Sequence, residues 1–403
     1  MRILHTADWH LGKSLEKTSR LEEQKKFTED FIKMADENNV DMIMIAGDIY
    51  DTPNPSAEAE KLFYNTLKRL SNGGKRLTVV IAGNHDSSER LMAARPLAME
   101  HGVIIFGTPT TVIDKGMYGD SEVVASDEGY VEVKVGEETA IIIALPYPTQ
   151  KSLGEILYEE EEEEADKAVK YANRIKAFFS NLEPKYREDT INLAMAHIFA
   201  MNADPSGSEK QVATLGGNFM VPGSCFPEKA QYVALGHVHK PQIVPGTNHR
   251  VRYSGSPIHY HQDEAHYEKQ CLIVDVKVGT EAEVKPINIP IYKEIVTWNC
   301  DSIDDAMEMC DKHKDEDCYV YINVTTDRPI RDSELSYMKT TKKDVMLINT
   351  ILKGDAEEEQ ISDAIMQMSI EDQFKEFYKS KNEGTEIPED LLELFMEIVG
   401  EEE

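Results

Sequence analysis

At 403 residues the chain exceeds the usual size of one domain, so two or three domains are expected. A net charge of −31 excludes a simple basic nucleic-acid binder, and no apolar run approaches the roughly 18 residues that span a bilayer. The five cysteines, Cys225, Cys271, Cys300, Cys310 and Cys318, are odd in number and lack C-x-x-C spacing, which suggests free thiols in a reducing compartment rather than a disulfide framework or a structural zinc site.

Met1 to His5 runs straight into a strand with no signal peptide, so a soluble cytoplasmic protein is expected. That first strand, Arg2 to Thr6, leads into Asp8-Trp9-His10-Leu11-Gly12. Leu21, Phe27, Phe31, Ile32 and Met34 carry helical spacing between Arg20 and Asn38. Val40 to Ala46 is apolar but for Asp41 near its start, as a central parallel strand covered on both faces would be, and it ends in Gly47-Asp48. An aspartate just past such a strand sits where open α/β sheets hold their ligands. Pro53-Asn54-Pro55-Ser56 makes a loop and an N-cap for a helix from about Ala57 to Leu70. The strand Leu77 to Ala82 ends in Gly83-Asn84-His85-Asp86. This β-α-β-α-β alternation predicts right-handed crossovers and a parallel sheet.

Leu91 to Met99 predicts a helix interrupted by Pro96, and Ile104 to Phe106 a short strand. From Thr110 to Leu145 the pattern is β, punctuated by glycines and closed by Pro146-Tyr147-Pro148. A helix is expected from about Glu164 to Leu182. Ile191 to Ala196 is a buried strand ending in His197, and a polar loop follows over Asn202 to Glu209. Gln231 to Leu235 ends in Gly236-His237-Val238-His239. A short strand precedes the turn Ser254-Gly255-Ser256-Pro257, Gln270 to Val276 is a further strand, and Pro286 to Pro290 reads as a boundary. Ile291 to Val296, a helix near Ile303 to His313, Cys318 to Val324 and Asp344 to Leu352 then predict a small α+β unit. Gln360 to Glu403 reads as two acidic amphipathic helices. From Lys353 to Glu403 there are 17 acidic and 4 basic residues, so much of the negative charge lies away from the strand ends.

Five strand ends finish in metal-capable side chains: Asp8 with His10, Asp48, Asn84, His197, and His237 with His239. Any one alone reads as a turn former or a structural histidine. Five apolar strands delivering such residues to one edge of a parallel sheet point to a metal centre. Imidazole, carboxylate and amide oxygen without thiolate suit Mn, Fe or Zn better than Ca. Seven ligands exceed one tetrahedral ion and fit two ions sharing Asp48, the usual arrangement for in-line displacement at phosphorus. His5 reads as a buried polar residue, Trp9 as packing, and His259, His261 and His266 carry no assigned role. Arg250 and Arg252 could contact phosphate, with a surface charge as the default, and Lys13 and Arg20 are weaker candidates for substrate contact.

Asp8-x-His10, Gly47-Asp48-x-x-Asp51, Gly83-Asn84-His85-Asp86, His197 and Gly236-His237-x-His239 resemble the motif set of the calcineurin-like metallophosphoesterases. The fuller strings His5-Thr6-Ala7-Asp8-Trp9-His10-Leu11-Gly12, Ser206-Gly207-Ser208-Glu209 and Tyr253-Ser254-Gly255-Ser256-Pro257 are similar to its SbcD-type nuclease subunits. That closer similarity spans about Met1 to Glu264. The resemblance implies an α/β fold: a metallophosphoesterase sheet sandwich flanked by helices over 1–285, a small α+β capping domain over 286–355, and a helical partner-binding region over 356–403.

It further implies that Asp8, His10, Asp48 and His239 hold one divalent ion and that Asp48, Asn84, His197 and His237 hold the other, with manganese expected. His85 would face the scissile phosphate and protonate or stabilise the leaving oxygen, and Asp51 would orient His85. The implied activity is two-metal hydrolysis of DNA: ATP-dependent double-strand exonuclease and single-strand or hairpin endonuclease action in repair, recombination and replication. The implied partners are an SbcC-type coiled-coil ABC ATPase, double-stranded and hairpin DNA, and a second copy of the chain within a heterotetramer, at the nucleoid and away from membranes. ATP would bind the partner, because this chain has no G-x-x-x-x-G-K-[ST] loop. Two other readings stand beside it. A small-molecule metallophosphoesterase has no need of the extra C-terminal region, and an inactive scaffold has no need of the full ligand set and His85.

Overall fold

The computed structural model describes residues 1–149, 164–205 and 220–352, with the single positions Ser152, Tyr378, Pro388 and Leu392. The chain divides into two compact units, Met1–Val296 and Thr297–Glu403.

The first unit opens with β1 (Arg2–Thr6), a two-stranded hairpin of β2 (Ser14–Leu15) and β3 (Thr18–Ser19), and helix α1 (Leu21–Glu37). Then come β4 (Met42–Ala46), α2 (Ala57–Leu70), β5 (Leu77–Ile81), α3 (Ser88–Ala93), α4 (Arg95–Glu100) and β6 (Val103–Phe106). The Ser56 hydroxyl caps α2 by accepting from the Ala59 N–H. Pro96 lies in the first turn of α4, where a missing N–H costs nothing, so the expected Leu91–Met99 helix resolves into two.

A meander of β7 (Gly116–Tyr118), β8 (Ser121–Asp127), β9 (Tyr130–Val135) and β10 (Glu138–Leu145) is followed by α5 (Glu164–Leu182), β11 (Ile191–His197), β12 (Tyr232–Gly236), β13 (Gln242–Ile243) and β14 (Val251–Tyr253). β15 (Gln270–Asp275) and β16 (Glu283–Asn288) return to the first sheet. That sheet has the order β16-β15-β1-β4-β5-β6, with β1, β4, β5 and β6 parallel. The second has the order β13-β14-β12-β11-β10-β9-β8-β7, with β10, β11, β12 and β14 parallel.

Strand alternation explains how the sheets stack. On β4, Ile43 and Ile45 join Phe27, Phe31 and Phe63 of α1 and α2 on the outer face. Met42, Met44 and Ala46 face the other way and meet Ile142, Leu193, Met195 and Ala234 of the second sheet. On that sheet's far face Ile141, Ile143 and Ala194 pack on Ile175 and Phe179 of α5. The result is the expected sandwich of two sheets between helices. Both central strands are buried on both faces, which is why their sequences are apolar throughout rather than alternating.

The second unit carries a three-stranded sheet, β17 (Glu294–Cys300), β18 (Cys318–Thr326) and β19 (Val345–Leu352), in that order, with helices α6 (Ile303–Lys312) and α7 (Asp332–Thr341). The Ser302 hydroxyl caps α6 through the Asp305 N–H. The compact units divide later than residues 285/286, because Glu283–Asn288 pairs with β15 as an edge strand. Pro286 is tolerated there since an edge strand need not donate on its outer side. The Ser206–Glu209 loop and, apart from Tyr378, Pro388 and Leu392, the C-terminal amphipathic segments lie outside the described residues. Among the described residues, no helix is long and apolar enough to cross a membrane.

Candidate metal centre

The strand ends that carry the predicted ligands come from two sheets, not from one parallel edge. β1, β4 and β5 bring Asp8, His10, Asp48 and Asn84; β11 and β12 of the facing sheet bring His197, His237 and His239. A two-sheet origin surrounds the site on both sides, which the edge of a single sheet cannot do.

The backbone at these ends is unusual. Asp8, His10, Asp48 and His237 have φ of 55°, 44°, 50° and 99°. Non-glycine residues there are strained by about 1–3 kcal/mol each and persist where their surroundings hold them. Backbone bonds do the holding: the Asp8 N–H donates to the Gly47 carbonyl (3.0 Å), and the His10 N–H to the Asp48 carbonyl (2.9 Å). The sheets meet so closely here that a Cβ on Gly47 would strike the His197 ring, and one on Gly236 the Ala46 carbonyl.

Asp48 stands at the centre. Its Oδ2 is 3.5 Å from His10 Nε2 and 3.4 Å from His197 Nε2, while Oδ1 accepts from the His85 N–H (2.9 Å). Asn84 Oδ1 lies 3.0 Å from His197 Nε2 and 2.8 Å from His237 Nδ1. His10 Nε2 and His239 Nε2 are 3.1 Å apart. Asp8 Oδ1 accepts from the His237 N–H (2.8 Å), and its Oδ2 is buried without a hydrogen-bond partner among the described residues. The ligand atoms of Asp8, His10 and Asp48 fall within 4.8 Å of one another, as do those of Asp48, His197 and His237. Asp48 is common to these two groups, as a bridging ligand must be, and a third group, His10, Asp51 and His85, lies beside them.

The donor set fits two cations. The Ala46 carbonyl can only accept, so His197 Nδ1–H donates to it (2.8 Å), and in a neutral ring Nε2 turns a lone pair toward the Asn84 and Asp48 oxygens. Acceptors converging on acceptors are favourable only around positive charge. Burial pulls the His197 pKa down, but Asp48 and Asp8 outweigh it and hold it up at about 9. The negative charge that draws a proton there also draws a metal ion. Burial keeps His10 and His237 neutral, at about 3, and therefore ready to ligate. It pushes Asp8 up to about 6, a cost that a bound cation removes.

His85 presents a different environment. Its Nδ1–H donates to the backbone carbonyl of Asp51 (2.8 Å), and its ring stands edge-on to His10 at 4.8 Å. The expectation that Asp51 orients His85 is corrected in its means. The carbonyl makes that contact, while the carboxylate accepts from Lys13 Nζ (2.6 Å) and lies 3.5 Å from His10 Nδ1. The side chain is already committed to a fixed cation, so the turn's backbone is what reaches His85.

Two residues of the site had no role from the sequence. Asp86 accepts from the N–H groups of Gly83 (2.8 Å), Ile49 (3.1 Å) and Tyr50 (3.0 Å), lashing the β5 turn to the β4 turn. Its place directly after Asn84-His85 was the available signal. Glu264 Oε1 lies 2.9 Å from His239 Nδ1, and nothing local in the sequence marks it, since chain separation hides the contact.

Other sequence candidates are placed elsewhere. His5 is buried between the Tyr232 hydroxyl and the Leu235 carbonyl, as expected. Trp9 donates to Thr6 Oγ1 and packs edge-on against Phe27, Phe31 and Phe63, so it does not offer a face to a base. Arg20 is buried on Glu23 and the His259 carbonyl, which removes it as a DNA contact. His259 binds the Tyr267 carbonyl, and among the described residues no metal-capable group unites it with His261 and His266.

Comparison with known proteins bears on this geometry. The calcineurin-like phosphoesterase family model matches residues 1–241. The SbcD chain of nuclease SbcCD from Bacillus subtilis (strain 168) is 34% identical over 399 residues, covering 99% of this chain and 97% of that protein. The SbcD chain of Rhodobacter capsulatus is 31% identical over 347 residues, 82% of each chain. The one in Escherichia coli (strain K12) is 26% identical over 391 residues, 93% of this chain and 92% of that protein.

Proposed function

The chain belongs to the calcineurin-like phosphoesterase family, and on that premise we propose that it is the metal-dependent nuclease component of an SbcCD-type complex, hydrolysing DNA phosphodiester bonds. The near full-length likeness to the SbcD chains of SbcCD nucleases supports the substrate class. The observation that carries the chemistry is Asp48, common to the Asp8–His10–Asp48 group of the first sheet and to a second group completed by His197 and His237 of the facing sheet.

Asp8, His10, Asp48 and His239 would hold one divalent ion, and Asp48, Asn84, His197 and His237 the other. Manganese suits their imidazole, carboxylate and amide donors. Divalent ions supply two things there: a nucleophile from water at neutral pH and positive charge for phosphate oxygens. The chain's own work is then orientation and proton transfer. The Ala46 carbonyl fixes the tautomer of His197. With Nδ1 tied to the Asp51 carbonyl, His85 keeps Nε2 for the substrate, where it holds or delivers a proton to the leaving oxygen.

An SbcC-type coiled-coil ABC ATPase is the partner this reading requires, with a second copy of the chain completing a heterotetramer. A largely apolar groove of about 510 Å³ between α2 and the α3–α4 pair, lined by Tyr64, Leu67, Leu97 and Val103 together with Glu60 and Arg90, supports self-association. Leu97 on its rim is 71% exposed.

The test is cleavage of hairpin and linear duplex DNA with manganese, by the chain alone and with its ATPase partner and ATP. Hairpin cleavage alone and ATP-dependent duplex degradation with the partner are expected. Inactivity on both, with turnover of a small phosphodiester, would overturn the substrate class. No turnover of any phosphoester, with metal bound, would leave a scaffold.

A further inference from the structure

Glu264 is fully buried, and each of its oxygens has a distinct task. Oε1 lies 2.9 Å from His239 Nδ1. Oε2 accepts from Lys269 Nζ (2.7 Å) and from the Tyr260 N–H (3.0 Å). Lys269, itself 2% exposed, also donates to Ser256 Oγ (2.7 Å) and to the His239 carbonyl (3.2 Å). The Ser256 N–H donates to that same carbonyl (3.1 Å). His239 is therefore held at its ring by Glu264 and at its backbone by Lys269 and Ser256.

A buried ion pair is costly unless further hydrogen bonds satisfy both partners, and here they do. Replacing such a pair with apolar side chains is often neutral or stabilising, so its retention next to a ligand calls for a local reason. The reason lies in hydrogen-bond polarity. An ionised carboxylate only accepts, so Nδ1 of His239 must carry the proton. Its Nε2 then offers a lone pair toward His10 Nε2, 3.1 Å away.

We propose that Glu264, locked by Lys269, is the positioning residue that fixes the tautomer and ring orientation of His239, and so sets the affinity of one of the two ions independently of the other. The inference rests on the reading of His239 as a ligand. One of the second ion's two imidazoles is visibly set from elsewhere: His197 takes its tautomer from the Ala46 carbonyl. Glu264 thus acts on the ion held with Asp8 and His10. A carboxylate behind a ligating imidazole makes the ring more basic as well as better aimed, and its removal typically costs about 10- to 100-fold in metal affinity.

Calorimetric manganese titration of the full chain provides the test, with low-temperature electron paramagnetic resonance reporting whether bound ions are paired. In Glu264→Ala one ion should weaken by about 10- to 100-fold while the other keeps its affinity, and the paired-ion signal should give way to that of an isolated ion. Glu264→Gln, whose carbonyl can still accept from Nδ1–H, should recover part of the loss. Two ions bound as in the wild type by folded Glu264→Ala would overturn the inference. Should that variant fail to fold, nitrogen-15 spectra of the histidine-labelled wild type decide, with His239→Asn identifying the signal. A proton on Nδ1 is expected, and one on Nε2 instead overturns it. A wild-type chain that binds no ion would refute the metal reading, whereas two ions in the wild type with no effect of Glu264→Ala would refute this inference alone.

Discussion

Single residues in this site divide into those that would hold ions and those that would serve the substrate. His85 lies among the proposed ligands in sequence, yet its ring is tied to the Asp51 carbonyl. In His85→Ala, metal stoichiometry should stay at two while DNA cleavage falls by about 10²–10⁴-fold; loss of an ion instead would make His85 a ligand. His5 illustrates the opposite case, a histidine kept for packing. Burial between Tyr232 and the Leu235 carbonyl holds its pKa down at about 3. The unfolded chain takes up that proton near its ordinary pKa of about 6.5, and the folded chain does not until about 3. His5 should therefore leave stability unaffected above about pH 6.5 and erode it as pH falls below that, by up to about 1.4 kcal/mol per pH unit. Urea unfolding of wild type and His5→Gln from pH 7.5 to 5 checks the sign: the wild type should lose more, and parallel curves would refute it.

At the scale of elements, the decisive event is the meeting of β4 with β11 and β12 across the sandwich. Gly236 ends β12 directly against the Ala46 carbonyl of β4, and a backbone oxygen cannot step aside as a side chain can. Gly236→Ala should lower stability by about 1–3 kcal/mol through overpacking and lower metal occupancy with it, because the next residue, His237, donates its N–H to Asp8. Thermal melting and metal analysis of the purified variant measure both. An unchanged melting temperature would mean that the sheets are free to part at this point. Most elements were legible in the sequence, since continuous apolar runs and helical spacing survive whatever the strands later pair with. The edge strand β16 was not, because Pro286 and a half-exposed, charged sequence carry the signature of a loop. α7 was missed as well: its apolar stripe is weak, with Met338 its buried anchor.

For the molecule as a whole, acidity and a DNA substrate are reconciled by placement. The sequence puts a large share of its negative charge beyond Lys353, and two divalent ions would add positive charge where a phosphate must approach. Self-association belongs to this scale too. Leu97→Glu puts a charge on the rim of the apolar groove and should shift a dimer toward monomer in light scattering, with activity on small phosphodiesters retained. A dimer that persists in the variant would place the self-contact on another face.

By itself the sequence determined the metal-capable side chains, the buried strands that deliver them, and the two helices that back the first sheet, because side-chain type and periodicity are local properties of the chain. Asp8, His10, Asp48, Asn84, His197, His237 and His239 were all named from strand ends alone. Only the tertiary structure decided that those ends belong to two facing sheets, that Asp51 reaches His85 through its carbonyl, and that Glu264 and Lys269 stand behind His239. Each of these depends on which distant segments are brought within a few ångströms. That is fixed by how the sheets stack around their shared core, a sum over many contacts that no short stretch of sequence encodes.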